Sequence, residues 1–114
     1  MKIYIAWQEA RKLVADIYRL TSSGALAKDY GLRDQIQRAA VSTMSNIAEG
    51  FDCESRTEFA RFLSIARRSA VEVQSLLYAA LDISYINEQT FKTEYQQAEK
   101  AKALIGGLKK SLKT

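Results

Sequence analysis

A stripe of hydrogen-bonding side chains runs along one predicted helix in the middle of the chain. At about 100° per residue, its members fall on one face of the segment 35–51: Gln35, Arg38, Ser42, Ser45 and Glu49. A solvated helix face is usually rich in lysine and glutamate, whereas this one combines an amide, a guanidinium, hydroxyls and a carboxylate. Such groups bind partners through directed hydrogen bonds. The stripe is therefore a candidate contact surface.

Arg38 and Glu49 are the charged members of this stripe, and they lie eleven positions apart. Three helical turns separate them, so each needs another partner. One interpretation is a hydrogen-bonded network with the next helix or with a neighbouring subunit, which also includes Gln35 and Asn46 and uses Glu72 as a partner. Direct contact of Arg38 with nucleic acid and simple solvation are the alternatives. Because Glu49 would repel phosphate, the structural network is favoured.

Four cations form a second candidate site. Arg61 and Arg68 lie seven positions apart on the next predicted helix, nearly opposite its apolar face, so we expect both to be exposed. Lys109 and Lys110 lie near the C-terminus. Arginine pairs with phosphate in a bidentate manner, and neutralised phosphates release counterions. These residues are therefore candidate nucleic-acid contacts, and solvated surface charge is the alternative interpretation.

The composition argues against catalysis. The chain has 114 residues and a formal net charge of +4, and it contains no histidine. Without histidine, neither a Cys–His nucleophile pair nor the Glu-x-x-His motifs of di-metal helical bundles can form. No glycine-rich phosphate loop is present. We therefore expect no enzymatic activity, cofactor or metal, and the positive charge is compatible with an anionic partner.

The same composition predicts a soluble, cytoplasmic protein. The longest apolar run has six residues, Leu76 to Leu81, far fewer than the roughly 18 that a membrane span needs. The apolar start at residues 3–7 is too short for a secretory signal. Cys53 is the single cysteine, which agrees with a reducing compartment.

Residues 1–114 are predicted to form one all-α domain. Proline is absent and 47% of the residues are hydrophobic, which favours long helices with few loops. Amphipathic periodicity predicts helices at 6–21, 32–49, 55–83 and from Asn87 onward, and residues 22–31 are predicted as a loop. Gly50 is expected to end the second helix in a left-handed conformation. Whether the fourth helix continues through Gly106-Gly107 is open. Short connections then favour an up-down-up-down four-helix bundle.

Several packing details follow from the same periodicity. The apolar face of the second helix is predicted to comprise Leu32, Ile36, Ala40, Met44, Ile47 and Phe51. Tyr18, Tyr78 and Tyr95 are predicted in the core with hydroxyls at the bundle edge. Ala39, Ala40, Ala66 and Ala70 are expected to allow close approach of the second and third helices. Ser55 and Glu58 are predicted to form a capping box.

The segment Gln35 to Phe51, QIQRAAVSTMSNIAEGF, resembles the signature of a bacterial four-helix bundle family encoded in intervening sequences of 23S rRNA genes. Its matching positions are Gln35, Arg38-Ala39, Ser42 and Asn46 to Phe51. The similarity extends into residues 58–77 and, more weakly, into 85–86 and 108–112. Arg68 stands where the family often has glycine, which puts close helix contact at that position in doubt and adds surface charge.

The resemblance implies a four-helix bundle that assembles as a ring-like homopentamer, with no catalytic activity. One branch of the family, the accessory variability determinant of diversity-generating retroelements, works with a reverse transcriptase and binds nucleic acid. Two alternative functions are therefore considered for this chain. One is an RNA- or DNA-binding accessory protein, and the other is an oligomeric scaffold that binds another protein.

Overall fold

The computed structural model describes residues 2–113, and these form helices joined by short turns. The helices are α1 (Lys2–Leu20), α2 (Gly24–Lys28), α3 (Tyr30–Asp52), α4 (Arg56–Asp82) and α5 (Glu88–Ser111). Helix α3 packs against α1 and α4, and α5 packs against the same two helices from the other side. The described part is elongated, 45 × 22 × 18 Å. The predicted all-α four-helix bundle is confirmed, with α2 as a single turn inside the first connection.

Side-chain caps begin the last three long helices. The carboxylate of Asp29 caps α3, the hydroxyl of Ser55 caps α4 and the amide oxygen of Asn87 caps α5. The last two were predicted from sequence and are confirmed. The capping box forms only in part, because Ser55 accepts the Glu58 N–H at 3.0 Å while the Glu58 carboxylate binds Arg61. Each cap satisfies one backbone N–H that the helix leaves without an internal partner.

The predicted helix boundaries need correction in several places. Helix α1 begins at Lys2 rather than Ala6, and the predicted loop at 22–31 contains α2. Helix α5 continues through Gly106-Gly107 to Ser111, which answers the question that the sequence left open. The turn between α4 and α5 instead uses Ser84, whose φ of 65° is left-handed.

Gly50 does not end the second long helix, contrary to the sequence prediction. It lies inside α3, which continues to Asp52, and it is buried. A Cβ at this position would lie 2.8 Å from the Cβ of Phe62 and 2.9 Å from Cδ1 of Phe59. Glycine is therefore needed because the first turns of α4 press against the end of α3, rather than because the backbone turns there.

The bundle core consists of two clusters of aliphatic side chains. Leu13, Ile17, Ile36, Val73 and Leu77 are fully buried near one end, and Ile47, Leu63 and Ile105 near the other. The four alanines predicted between the second and third long helices are buried as expected. No helix among residues 2–113 is both long and apolar enough to cross a membrane.

Three aromatic predictions are wrong. Tyr18 is 46% exposed, Tyr78 is 49% exposed and Phe51 is 57% exposed. The ring of Tyr78 packs against Phe91 of α5 at 4.7 Å between ring centroids, with the two rings tilted by 54°. Helical spacing places a residue on a face but does not say how far the neighbouring helix extends over that face. Tyr95 is half-buried against the core, closer to its prediction.

Candidate nucleic-acid interface

The polar stripe of α3 forms a seam with α4. Gln35 donates to the Glu72 carboxylate at 3.2 Å. Further along, the hydroxyls of Ser42 and Ser69 lie 2.8 Å apart, and Asn46 donates to Ser42 at 2.9 Å. Three of the five residues assigned by sequence to an interhelical network, Gln35, Asn46 and Glu72, are thus engaged at this seam.

The hydrogen bond that Ser69 donates determines the direction of the other hydrogen bonds in the central part of this seam. Ser69 donates to the Ile65 carbonyl at 2.9 Å, so Ser42 is the donor in the bond between the two hydroxyls. Asn46 then donates to Ser42, so both successive hydrogen bonds are donated in the same direction, from α3 toward Ser69 of α4. Each hydroxyl uses both its donor and its acceptor capacity, which stabilises polar groups at a largely buried contact.

Arg38 and Glu49 lie outside this seam. Both are exposed, and neither side chain forms a hydrogen bond or ion pair with any residue in the range 2–113. Within one chain the α3 stripe therefore divides into an inner half that binds α4 and an outer half that faces solvent. Their assignment to a subunit interface stays a prediction.

The predicted phosphate contacts on α4 differ in their surroundings. Arg61 donates to both carboxylate oxygens of Glu58, at 3.2 and 3.0 Å, and its guanidinium lies 4.7 Å from the centre of the Phe62 ring. This hydrogen bond, together with the charge of Arg61, lowers the pKa of the Glu58 carboxyl. The charge of Arg61 is thus largely balanced by its neighbour. Arg68 is exposed, as expected.

The predicted lysines line an open cleft between α4 and α5. Its volume is about 370 Å³, and its described lining consists of Arg67, Gly106, Lys109, Lys110 and Lys113. No carboxylate belongs to this lining, and none of the four cations forms an ion pair with a carboxylate of residues 2–113. We call this feature the basic cleft.

The basic cleft exists because α5 remains helical through its two glycines. Gly106, Lys109 and Lys110 stand at positions i, i+3 and i+4 of α5, which a continuous helix places on one face, and Lys113 follows in the turn just after the helix. A helix that ended at Gly106 would have scattered the lysines along a tail. Cations in a last helical turn are also favoured by the helix dipole. The dipole does not account for Arg67, which comes from the middle of α4.

Arg67 is the cleft residue that sequence reasoning missed. Helical spacing gives it a position between the apolar and exposed faces of its helix, next to Arg68, and both arginines are exposed in the structure. Only the packing of α4 against α5 brings it opposite the lysines. Glu99, an acidic group whose carboxyl is affected by the charge of Arg67, is occupied by bonds from Gln74 and Lys102 at 3.0 and 2.9 Å. Those bonds, and to a smaller extent the charge of Arg67, lower the pKa of the Glu99 carboxyl.

Arginine and lysine stay cationic at neutral pH, so the basic cleft can bind anions but has no group suited to transferring protons. No group of three histidine, cysteine, aspartate or glutamate side chains in residues 2–113 is placed to hold a metal ion. The chemistry that these residues support is the electrostatic binding of phosphate or a similar anion.

A second open feature is an apolar groove between α1 and α3. Its volume is about 240 Å³, and it is lined by Ile3, Tyr4, Trp7, Ile47, Ala48 and Phe51. Tyr4 and Phe51 are each 57% exposed. Exposed aromatic side chains beside an apolar groove are typical of protein-binding surfaces. We call this feature the apolar groove.

Comparison with known proteins identifies relatives in sequence and in structure. A crystal structure of a protein with unknown function from the S23 ribosomal protein family of Bacteroides thetaiotaomicron VPI-5482 has a TM-score of 0.90 to this chain. The two are 22% identical over 96% of this chain and 99% of that one, so the likeness shows the shared fold. Among curated proteins no match was found. Residues 2–107 match the family described as 23S rRNA-intervening sequence protein. The chain therefore belongs to the 23S rRNA-intervening sequence protein family.

Proposed function

We propose that this protein is a non-catalytic, nucleic-acid-binding accessory protein of the cytoplasm that works as a homo-oligomer. The observation that carries the proposal is the basic cleft, where four cations converge with no carboxylate in the described lining. Nucleic acids are polyanions whose phosphates are neutralised by such lysines and arginines, with release of counterions.

The charge distribution supports this site over a uniformly basic surface. Arg19, Arg33 and Arg61 each pair with an adjacent carboxylate, and Lys12, Lys100 and Lys102 also lie within ion-pair distance of glutamates. Part of the positive charge is therefore balanced locally, whereas the four cations of the basic cleft are not paired with a carboxylate of residues 2–113. Paired surface charges contribute little to long-range attraction, whereas an unpaired cluster raises the local concentration of an anion.

Self-association would strengthen weak binding at each cleft. The homopentamer expected from the family resemblance would carry a formal charge of +20, five times the +4 of one chain. Several equivalent clefts on one particle would bind one long polyanion with a raised effective concentration. The ring remains part of the proposal, and the exposed apolar groove is the surface that supports self-association.

The test is a titration of the full chain with a structured, fluorescently labelled RNA at about 50 and about 200 mM salt. We expect binding that weakens with salt, and we expect the double variant Lys109→Glu/Lys110→Glu to bind at least about tenfold more weakly at the lower salt, a change of about 1.4 kcal/mol. The matched control, Lys28→Glu/Lys92→Glu, makes the same change of charge at exposed lysines away from the cleft. It should retain most of the binding.

Two results would contradict this function. One is no RNA binding by the unmodified protein even at the lower salt, and the other is equal loss of binding in both double variants, which would mean that net charge alone matters. The second candidate function is a scaffold that binds another protein, which the apolar groove favours. A partner lost on Phe51→Ser but retained in Lys109→Glu/Lys110→Glu would support the scaffold instead.

A further inference from the structure

Gly106 is a glycine that the fold itself does not require. Glycine in a helix interior costs up to about 1 kcal/mol relative to alanine, so its presence calls for a reason. For Gly50 the reason is steric, since Phe62 leaves no room for a side chain. At Gly106 a Cβ would lie 3.7 Å from Nε and 4.0 Å from Cδ of Arg67, an ordinary van der Waals contact. The packing of this chain would accept alanine there.

The place of Gly106 in the fold indicates what the missing side chain leaves room for. Gly106 belongs to the lining of the basic cleft, with Arg67 across from it on α4 and Lys109 and Lys110 one turn further along α5. Bare backbone at the meeting point of several cations lets a small anion come close to all of them at once. A methyl group at this position would project into the space that such an anion needs.

We propose that one phosphate group binds against the bare backbone at Gly106, a position that we call the phosphate seat. The basic cleft as a whole then binds a short run of consecutive phosphates without recognising bases. This inference rests on the proposed function and names the chemistry of its ligand. The part of the lining that lies in α5, from Gly106 to Lys110, extends about 6 Å along the helix at 1.5 Å per residue, and Lys113 follows in the turn just after it. The four cations of this lining can therefore neutralise a short run of adjacent phosphates, because each phosphate carries one negative charge.

The lining favours phosphates over bases. Proteins that bind single strands through bases stack them on exposed aromatic side chains. The described lining contains no aromatic side chain, and its arginine and lysines pair with phosphates as well as with the edge of guanine. The ligand chemistry is therefore a chain of phosphates, which a nucleic-acid strand and inorganic polyphosphate share. Competition between the two distinguishes phosphate binding from base recognition.

Gly107 supplies a matched control for Gly106. It is the next residue of the same helix, and a Cβ there would meet nothing within 4 Å. It faces a different depression, between α1 and α5, beside Ile5 and Leu104. Alanine at either position raises helix propensity by the same amount. The two variants therefore differ mainly in whether the methyl group enters the basic cleft.

The experiment compares Gly106→Ala, Gly107→Ala and the unmodified chain by fluorescence anisotropy with a labelled single-stranded oligouridine. Circular dichroism confirms that each variant is folded. We expect Gly106→Ala to bind about fivefold more weakly, and the slope of log affinity against log salt to fall by about 0.7, the value for one lost phosphate contact of a single strand. Gly107→Ala should bind as the unmodified chain does. Oligoadenosine should bind equally well, and inorganic polyphosphate should displace both.

The outcomes separate this inference from the proposed function. Unchanged binding in Gly106→Ala, together with lost binding in Lys109→Glu/Lys110→Glu, overturns the phosphate seat but leaves nucleic-acid binding intact. A strong preference for one base, or failure of polyphosphate to compete, overturns phosphate-only recognition. If none of these variants alters binding, both the seat and the basic cleft as the binding site are wrong, whereas no binding by the unmodified chain overturns the proposed function itself.

Discussion

Gly50 of α3 faces Phe62 of α4 so closely that a Cβ atom on the glycine would lie 2.8 Å from the Cβ of the phenylalanine. Carbon atoms do not approach this closely, and the atom in the way is next to the backbone rather than at the flexible end of a side chain. We predict that Gly50→Ala destabilises the protein by about 1–3 kcal/mol, the usual range for overpacking a core. Urea unfolding followed by circular dichroism measures the change.

Gly107→Ala is the control for this prediction. Its methyl group meets nothing within 4 Å, so the gain in helix propensity is expected to raise the free energy of unfolding by up to about 1 kcal/mol. The two substitutions are chemically identical and both lie within helices, so opposite signs isolate the steric effect. A Gly50→Ala protein as stable as Gly107→Ala would show that α4 shifts away from α3 at little cost.

Glu94 of α5 makes stability depend on pH. Burial, and then the nearby carboxylate of Asp16 on α1, raise the pKa of Glu94 from its ordinary value of 4.5 to about 7, and one of its oxygens is buried without a hydrogen bond. Arg19, which binds Asp16, offsets part of this effect. Because the folded-state pKa lies above the unfolded one, the contribution of Glu94 is fully present below pH 4.5 and is lost as the pH rises through about 7.

We therefore predict that Glu94→Gln removes this dependence. Glutamine stays neutral and can donate to the Asp16 carboxylate, so the variant should be more stable than the unmodified chain at pH 8 by about 1 kcal/mol, after allowance for solvent screening. The two should differ little at pH 5. Thermal unfolding from pH 5 to 8 measures this, with the exposed Glu54→Gln as control. Parallel pH profiles for the Glu94 variant and the unmodified chain would refute the assignment.

Arg67 and Arg61 should contribute unequally to nucleic-acid binding. Arg67 lines the basic cleft, whereas Arg61 is held by Glu58 at 3.0 Å and lies over Phe62. We predict that Arg67→Ala weakens binding of a labelled RNA about fivefold at low salt, and that Arg61→Ala changes it less than twofold. Both variants remove one positive charge from the same helix. Equal effects would mean that RNA lies across the whole outer face of α4, as the sequence alone suggested for Arg61 and Arg68.

Self-association should depend on the apolar groove. We predict an oligomer at micromolar concentration by size-exclusion chromatography with light scattering, and a shift toward smaller species in Phe51→Ser, because burial of an exposed aromatic ring stabilises an interface. Tyr18→Ser, which removes another exposed aromatic outside the groove, is the control. A monomeric unmodified chain would rule out the ring, and an unchanged oligomer in Phe51→Ser would place the interface elsewhere.

The sequence by itself determined the four long helices and the fold class, because these depend on local chemistry and on periodicity. Caps such as Ser55 and Asn87 act within a few residues, and the recurrence of apolar residues every three or four positions defines each helix. The ends of helices were predicted less accurately from sequence where a glycine lies near the end. Glycine has the same local signature whether it ends a helix, as expected for Gly50, or allows another helix to come close, as is found there.

Only the tertiary structure decided which charges and which aromatic rings are available to a partner. Sequence spacing places Arg61, Arg67 and Arg68 around one helix and puts Glu58 within one turn of Arg61, but the approach of α5 to Arg67 depends on contacts between elements. The same holds for Phe51 and Tyr78, whose exposure depends on how far the neighbouring helix reaches. Helical periodicity determines from which side of a helix a side chain projects. The burial of that side chain and the balance of its charge depend on which element packs against that side.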